Sequence, residues 1–154
     1  MGVEADLKKL GIEIPPAPAP AANYVPFAVE GKLVFIAGQV PRGADGKLLF
    51  VGKVGQDLTE QQGYDAARLC ALNCLAQLRA AAGGSLDRVK RIVRLGGFVN
   101  CGPDFTNQPQ VINGASDLVV KLFGDKGRHA RTAVGAGSLP ANVATEVEMI
   151  AALE

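Results

Sequence analysis

Apolar positions along the chain follow a helical period in some segments and a two-residue alternation in others, and the two patterns predict different elements. The clearest helix begins after Thr59, because Thr59-Glu60-Gln61-Gln62 matches a capping box and apolar side chains then recur as far as Ala81. Gly83-Gly84 ends this helix. Two further helices are predicted, a short amphipathic one from Val3 to Leu10 and one around Val111 to Phe123 that stops at Gly124.

Strand patterns account for much of the remaining chain. Glu30-Gly31-Lys32 and Asp45-Gly46 are turn signals between short β-like runs. Gly96-Gly97, inside an alternating segment, predicts a bulge or a close approach of another group to the backbone. The predicted strands are Tyr24 to Val29, Leu33 to Ile36, Lys47 to Val51, Val89 to Val99, 129–136 and 143–151.

The order of these elements predicts an α/β fold, a sandwich in which two helices cover one face of a mixed sheet. Long helices cross between strands, as parallel neighbours require. No helix remains for the opposite face, and an uncovered apolar face of this size predicts a homo-oligomer. We expect residues 1–22 to form an N-terminal helix and a Pro/Ala-rich linker, and residues 23–154 to form a single domain.

The last two strands read as a hairpin that carries a suggestive pair of charges. A ladder symmetric about the centre between Ser138 and Leu139 would place Arg131 opposite Glu146 in an otherwise apolar sheet. Buried ions are costly unless they are paired and hydrogen-bonded. Arg131 therefore either forms an internal ion pair with Glu146 or Glu148, or binds the carboxylate of a ligand, and the pattern leaves both alternatives open.

Composition and charge exclude several classes of function. The net charge of +1 provides no field that would hold a polyanion, and the basic run Arg88, Lys90, Arg91 and Arg94 lacks interleaved aromatic residues, so a nucleic-acid partner is not expected. No segment approaches the ~18 apolar residues of a membrane span, and the first residues do not resemble an export signal. Three cysteines form no disulfide framework, which favours the cytoplasm.

Other reactive side chains are too sparse to form a recognisable site. His129 is the only histidine and lies two residues before Arg131, and no cluster has metal-ligand spacing, so no metal is expected. The serines lie in no nucleophile-elbow motif. Cys101 follows a strand in a polar loop, where a surface or half-buried spectator thiol is the favoured interpretation.

Several short motifs together resemble the Rid (RidA/YjgF) family of enamine/imine deaminases. The resemblance runs from about Tyr24 to the C-terminus, and an Ala-Arg-Thr step followed by Leu-Pro and Glu-x-Glu is its most specific part. An NGAS segment in a longer loop is similar to a subgroup often labelled endoribonuclease L-PSP. The motifs are AGQVP (37–41), GFVN (97–100), FTNQPQVINGAS (105–116), HARTAVG (129–135), LP (139–140) and EVE (146–148).

This resemblance implies a chorismate-mutase-like fold, a homotrimer with a closed sheet core, and ligand clefts between subunits. It implies that Arg131 holds the carboxylate of a 2-imino acid and that Glu146 lies near the reacting water. Ala37 and Ala133 depart from the serine and cysteine that deaminating members often carry, and each change removes a polar group from the implied pocket. The implied substrate-binding residues are Tyr24, Gly38, Phe98 and either Asn113 or Ser116.

Three functional hypotheses follow. The first is hydrolytic deamination of reactive 2-enamine or 2-imine carboxylates to 2-oxo acids and ammonia, without a cofactor. The second is a non-catalytic trimer that binds small carboxylates, which the alanines at 37 and 133 motivate. The third and weakest is RNA cleavage, because the chain is almost neutral and has neither a histidine pair nor a metal site.

Overall fold

The computed structural model describes residues 2–154, which form a five-stranded mixed sheet with helices packed on one face. The strand order is β1-β2-β5-β3-β4, and only the β3–β4 pair is parallel. The elements are α1 (Val3–Leu10), β1 (Phe27–Glu30), β2 (Leu33–Gln39), α2 (Glu60–Ala81), β3 (Val89–Asn100), α3 (Gln108–Phe123), β4 (Ala130–Ala136) and β5 (Thr145–Leu153). The predicted fold class is confirmed.

The long helix α2 begins where its capping box predicts. The Thr59 side chain accepts a hydrogen bond from the Gln62 backbone N–H, and the Gln62 side chain accepts one from the Thr59 N–H. These two bonds satisfy N–H groups that the first turn would otherwise leave free. The third helix starts three residues earlier than the pattern predicts, with Pro109 in its first turn, where the missing N–H costs nothing. The placement of the NGAS segment (113–116) in a loop is therefore wrong, because these residues lie within α3.

The core lies between the helices and one face of the sheet. In β5 the side chains of Thr145, Val147, Met149 and Ala151 are buried under the helices, while the alternate residues point to the other face. Gly97 lets α3 approach, because a Cβ there would lie 2.6 Å from side-chain atoms of Ile112. The close-approach interpretation of Gly96-Gly97 is therefore confirmed, since the register shifts of β3 lie nearer its start.

The opposite face of the sheet carries exposed apolar side chains, as the sequence predicts. Leu33 and Phe35 of β2 are 39% and 43% exposed, and Val134 of β4 is 42% exposed. Phe98 and Ile150 extend this surface across the two central strands. We call these five residues the open face.

Two strand predictions are wrong. Residues 47–51 form only isolated bridges, because Phe50 has a left-handed backbone (φ 55) that interrupts an extended strand. The segments 129–136 and 143–151 do not form a hairpin, since β3 lies between β4 and β5. The connection between them crosses the end of β3, where the Asn100 N–H donates to the Ala144 carbonyl.

Candidate functional site

Glu146 lies at the wall of a mainly apolar cavity. The cavity has a volume of about 440 Å³, which is within the range of small-molecule sites. Its walls come from the segment before β1, the end of β2 and the loop after it, and the turn before β5. The lining residues are Pro18, Ala19, Pro20, Ala21, Ala22, Tyr24, Pro26, Gly38, Gln39, Val40, Arg42, Leu48, Pro140, Ala141, Val143 and Glu146.

The backbone around Glu146 is shaped to receive its carboxyl group. Glu146 follows the buried Thr145 and points away from the helices, opposite Phe98 of β3. A register shift in β2 before Gln39 brings Gly38 alongside, and a Cβ on Gly38 would lie 2.7 Å from Glu146 Oε1. Any side chain at position 38 would therefore displace the carboxyl group.

The environment of Glu146 makes its carboxyl group a weaker acid than an exposed glutamate. Partial burial raises the pKa of its carboxyl group, and the negative charge of Glu148, two residues along the same face, raises it further. None of the ion pairs within residues 2–154 involves Glu146. The group is thus a carboxyl whose pKa is shifted towards neutrality, as suits proton exchange.

Two buried thiols hold β5 on either side of Glu146. Cys70 Sγ lies 3.4 Å from Thr145 Oγ1, and Cys74 Sγ donates to the Val147 carbonyl at 3.3 Å. Burial raises the pKa of Cys70 to about 12 and that of Cys74 well above its usual value, so both remain protonated. The thiols contribute packing and hydrogen bonds rather than reactivity.

Arg131 does not meet Glu146 within one chain. It lies opposite Leu95 of β3 and faces the helix side, whereas Glu146 lies opposite Phe98 and faces the other side. Two strand spacings and three residues along β3 put their Cα atoms roughly 14 Å apart. The predicted cross-strand pairing is therefore wrong, and no ion pair within residues 2–154 joins Arg131 to Glu146 or Glu148.

The guanidinium of Arg131 is held by α3 instead. Nη1 donates to Asn113 Oδ1 at 2.8 Å and to Ser116 Oγ at 3.2 Å, and Nη2 donates to the Pro109 carbonyl at 3.3 Å. A guanidinium has five N–H donors. The Nε–H and one N–H of Nη2 make no hydrogen bond within residues 2–154, and these two nitrogens form one edge of the planar fork.

His129 extends this network, a role that sequence reasoning missed. Its Nδ1 lies 2.6 Å from the Gly127 carbonyl and its Nε2 lies 2.9 Å from Ser116 Oγ. Because a carbonyl only accepts, Nδ1 carries the proton and Nε2 accepts from the Ser116 hydroxyl. Burial and the nearby charge of Arg131 lower the pKa of His129, with the Gly127 bond opposing them, so the neutral ring is favoured. The signal available in the sequence was the two-residue spacing of His129 and Arg131.

The other candidates fall into two separate groups. Tyr24 and Gly38 line the Glu146 cavity, whereas Asn113 and Ser116 contact Arg131. Phe98 lies beside Glu146 on the open face but not in the cavity wall.

The remaining reactive and charged groups are engaged elsewhere. Cys101 is only 5% exposed, because Gln108 and the end of β4 cover it, so its placement at the surface or half-buried was wrong. In the basic run, Arg91 and Arg94 donate to Arg128 and Thr132 of this chain. Among residues 2–154 no three His, Cys, Asp or Glu side chains are grouped as metal ligands. No helix of the described chain has the length and apolar character of a membrane span.

Comparisons with known proteins agree with this fold. Residues 4–153 match the family described as "YjgF/chorismate mutase-like, putative endoribonuclease". Protein TCP17 of Trypanosoma cruzi is 47% identical over 152 residues, covering 98% of this chain and 94% of that protein. The family match spans nearly the whole chain, including all of α1 except Val3.

Two solved structures illustrate the range of similarity. One from Shewanella oneidensis MR-1, described as a "putative endoribonuclease", is 38% identical with a TM-score of 0.94, covering 99% of this chain and 100% of that one. E. coli TdcF with bound serine is 26% identical with a TM-score of 0.62, covering 90% of this chain and 94% of that one.

Proposed function

Because the chain belongs to the YjgF/chorismate mutase-like family, also called the Rid family, we propose that it hydrolyses 2-enamine and 2-imine carboxylates to 2-oxo acids and ammonia. The observation that carries this proposal is Glu146, a half-buried carboxyl group of raised pKa at the wall of a ligand-sized cavity. A carboxyl group in that setting can take up and return protons near neutral pH. Imines already hydrolyse in water, so positioning of the substrate together with proton exchange by Glu146 accelerates the reaction without a cofactor.

Arg131 binds the substrate carboxylate in this proposal. Its Nε–H and one Nη2–H make no hydrogen bond within residues 2–154, and a guanidinium can donate two hydrogen bonds to one carboxylate. Asn113, Ser116 and the Pro109 carbonyl occupy the other donors and fix the plane of the guanidinium. We therefore assign Asn113 and Ser116 to orienting Arg131, and Tyr24, Gly38 and Phe98 to the surroundings of the substrate.

The complete site needs two copies of the chain. Arg131 is on the edge strand β4 and Glu146 faces the opposite side of the sheet, so one chain cannot present both to one small substrate. The exposed apolar side chains of the open face support an assembly that covers them. We propose a homotrimer in which Arg131 of one protomer reaches the Glu146 cavity of its neighbour.

The proposed reaction needs only the imine and water. Water attacks C2 of the iminium carboxylate while Glu146, ionised, takes one of its protons, and a carbinolamine forms. Glu146 then returns that proton to the nitrogen, and the C–N bond breaks as the hydroxyl becomes the carbonyl of the 2-oxo acid. The nitrogen leaves as ammonia, and the carbinolamine hydroxyl proton passes to solvent. Arg131 remains bound to the carboxylate throughout.

A related structure supports a small carboxylate as the ligand. The structure of E. coli TdcF contains bound serine. Serine and a 2-imino acid share a carboxylate and a nitrogen on the neighbouring carbon. This similarity supports the class of ligand, and the reaction rests on Glu146.

The direct test is the decay of 2-iminopropanoate generated in situ by an amino-acid oxidase. We expect purified protein to accelerate its disappearance over buffer, in proportion to protein concentration. A semicarbazide-trapping assay or ammonia release would follow the reaction. Decay at the buffer rate would reject hydrolysis of this substrate. If pyruvate raised the melting temperature of the protein while imine decay was not accelerated, the chain would be assigned to non-catalytic carboxylate binding instead.

A further inference from the structure

The Pro/Ala-rich segment before β1 forms a wall of the Glu146 cavity. We call residues 15–22 the strap. Five consecutive strap residues, Pro18, Ala19, Pro20, Ala21 and Ala22, line the cavity that Glu146 and Gly38 line from the sheet side. Prolines fix φ within this segment, so the wall is less free to move than a glycine linker of the same length.

The strap is attached to the core and not merely laid over it. Gln77 of α2 is 2% exposed, and its Nε2 donates to the Pro18 carbonyl at 2.6 Å. A buried amide that left this donor unpaired would be costly, so the bond fixes the strap at the edge of the cavity. Beyond the strap, the Ala37 N–H donates to the Pro26 carbonyl at 3.0 Å and ties the chain to β2.

The segment before the strap is also fixed to the core. Ile12 and Ile14 pack against buried residues, and Leu7 of α1 is itself buried. Arg79 donates through two nitrogens to both carboxylate oxygens of Glu4, at 3.0 and 2.5 Å. The strap therefore has anchors before it, within it and after it.

The wall that results is apolar and built from small side chains. Two charged residues, Glu146 and Arg42, also line the cavity. Glu146 has its role in the proposed reaction. The Arg42 guanidinium donates through Nη1 to the carbonyl of Gly46, a residue that lines the neighbouring cavity instead. Asn73 fixes that loop by donating to the Val40 and Arg42 carbonyls. The free volume beside the strap thus meets mainly alanine, proline, valine and leucine, and Tyr24 and Gln39 are the uncharged polar residues of the lining.

Resting on the proposed deaminase function, we propose that residues 18–22 are a specificity-determining wall that selects 2-imino acids with apolar side chains larger than methyl. A three-carbon imine would leave most of the 440 Å³ cavity unfilled. An extra methylene in a hydrophobic pocket changes selectivity by about 10- to 200-fold. A branched apolar side chain against the strap gains that contact, and a methyl group does not.

Ala21 and Ala17 provide a matched pair of variants for the test. Both are exposed residues of the strap, but Ala21 lines the Glu146 cavity and Ala17 lines only the neighbouring one. The measured quantity is the ratio of kcat/KM for the leucine-derived imine to that for the alanine-derived imine. We expect this ratio to exceed about tenfold in the natural chain and to fall about tenfold in Ala21→Leu, chiefly through KM, while Ala17→Leu keeps the natural ratio.

Three outcomes would overturn the inference. They are an equal preference for the two imines in the natural chain, an unchanged ratio in Ala21→Leu, and the same fall in Ala17→Leu as in Ala21→Leu. Binding of pyruvate and of 4-methyl-2-oxopentanoate, measured by calorimetry on the natural chain and Ala21→Leu, separates this inference from the proposed reaction. If the natural chain bound 4-methyl-2-oxopentanoate more tightly than pyruvate and Ala21→Leu abolished this difference, the specificity-determining wall would be supported even if no imine were hydrolysed. Equal binding of the two acids by the natural chain would reject the wall even if imines were hydrolysed.

Discussion

Replacing Arg131 by alanine is expected to lower kcat/KM for 2-imino acids by about 10- to 150-fold. Hydrogen bonds to a charged group contribute about 1.5–3 kcal/mol, and each 1.4 kcal/mol is a factor of ten. The loss should appear mainly in KM if the carboxylate is held equally in the substrate and the transition state. Steady-state kinetics on imines generated in situ would measure both constants.

Two companion variants make this result specific. Arg131→Lys keeps the charge but lacks the planar fork, so we expect it to recover only part of the loss. Arg128→Ala removes an exposed arginine three residues away, whose side chain pairs with Asp125, and serves as the matched control with natural kinetics. Full activity in Arg131→Ala, with the protein folded by thermal melting, would refute the carboxylate contact.

Replacing Glu146 by glutamine is expected to reduce kcat by about 10²- to 10⁴-fold, the usual contribution of a general acid or base. Glutamine has nearly the same shape but cannot accept a proton from water, so the cavity and KM should change little. The comparison of kcat with KM therefore distinguishes proton transfer from a purely structural role. A Glu146→Gln variant with natural activity would show that Glu146 takes no part in the reaction.

The pH dependence follows from the raised pKa of Glu146. In the proposed reaction Glu146 acts in its ionised form, so kcat/KM should fall as the pH drops through a value above 4.5, the ordinary pKa of this carboxyl group. Glu148 raises that pKa through its charge, so Glu148→Gln should move the acidic limb to lower pH. If Glu148→Gln leaves the limb in place, another group controls it.

Local signals predicted the helices and the face patterns well. Thr59 and Gln62 define the start of α2 through bonds between neighbouring residues, which a sequence displays directly. The alternation of apolar and polar residues in β5 likewise matches the side chains that are buried in the structure. Such features depend on a few adjacent side chains, and no distant partner changes them.

The order of strands in the sheet was harder to predict, because the backbone groups that pair strands are nearly the same in every residue. The chain from Arg131 to Glu146 has two apolar segments and a Leu-Pro turn, which favours a hairpin locally. In the fold, α3 returns the chain so that β4 pairs in parallel with β3, and β5 then fills the space between β2 and β3. That strand order depends on how the helices pack on the whole sheet and not on the local pattern of any one segment.

The candidate site was predicted in part for the same reason. Motif resemblance identified Gly38 and Glu146, which the fold brings into contact. The strap has neither helical nor strand periodicity, so its sequence indicated only a linker, and bonds to distant residues such as Gln77 determine where it lies. The contacts of His129 with Ser116 and Gly127 likewise depend on how α3 docks.

The placement of Arg131 and Glu146 on opposite faces has a genetic consequence. If each cleft takes its arginine from one protomer and its acid from the next, two different defective chains can complement each other within one assembly. Random mixing of Arg131→Ala and Glu146→Gln chains would leave about a quarter of the clefts with both natural residues, since each cleft draws one residue from each of two protomers. A damaged allele of either kind would then be partly rescued by a damaged allele of the other kind, and never by a second copy of itself.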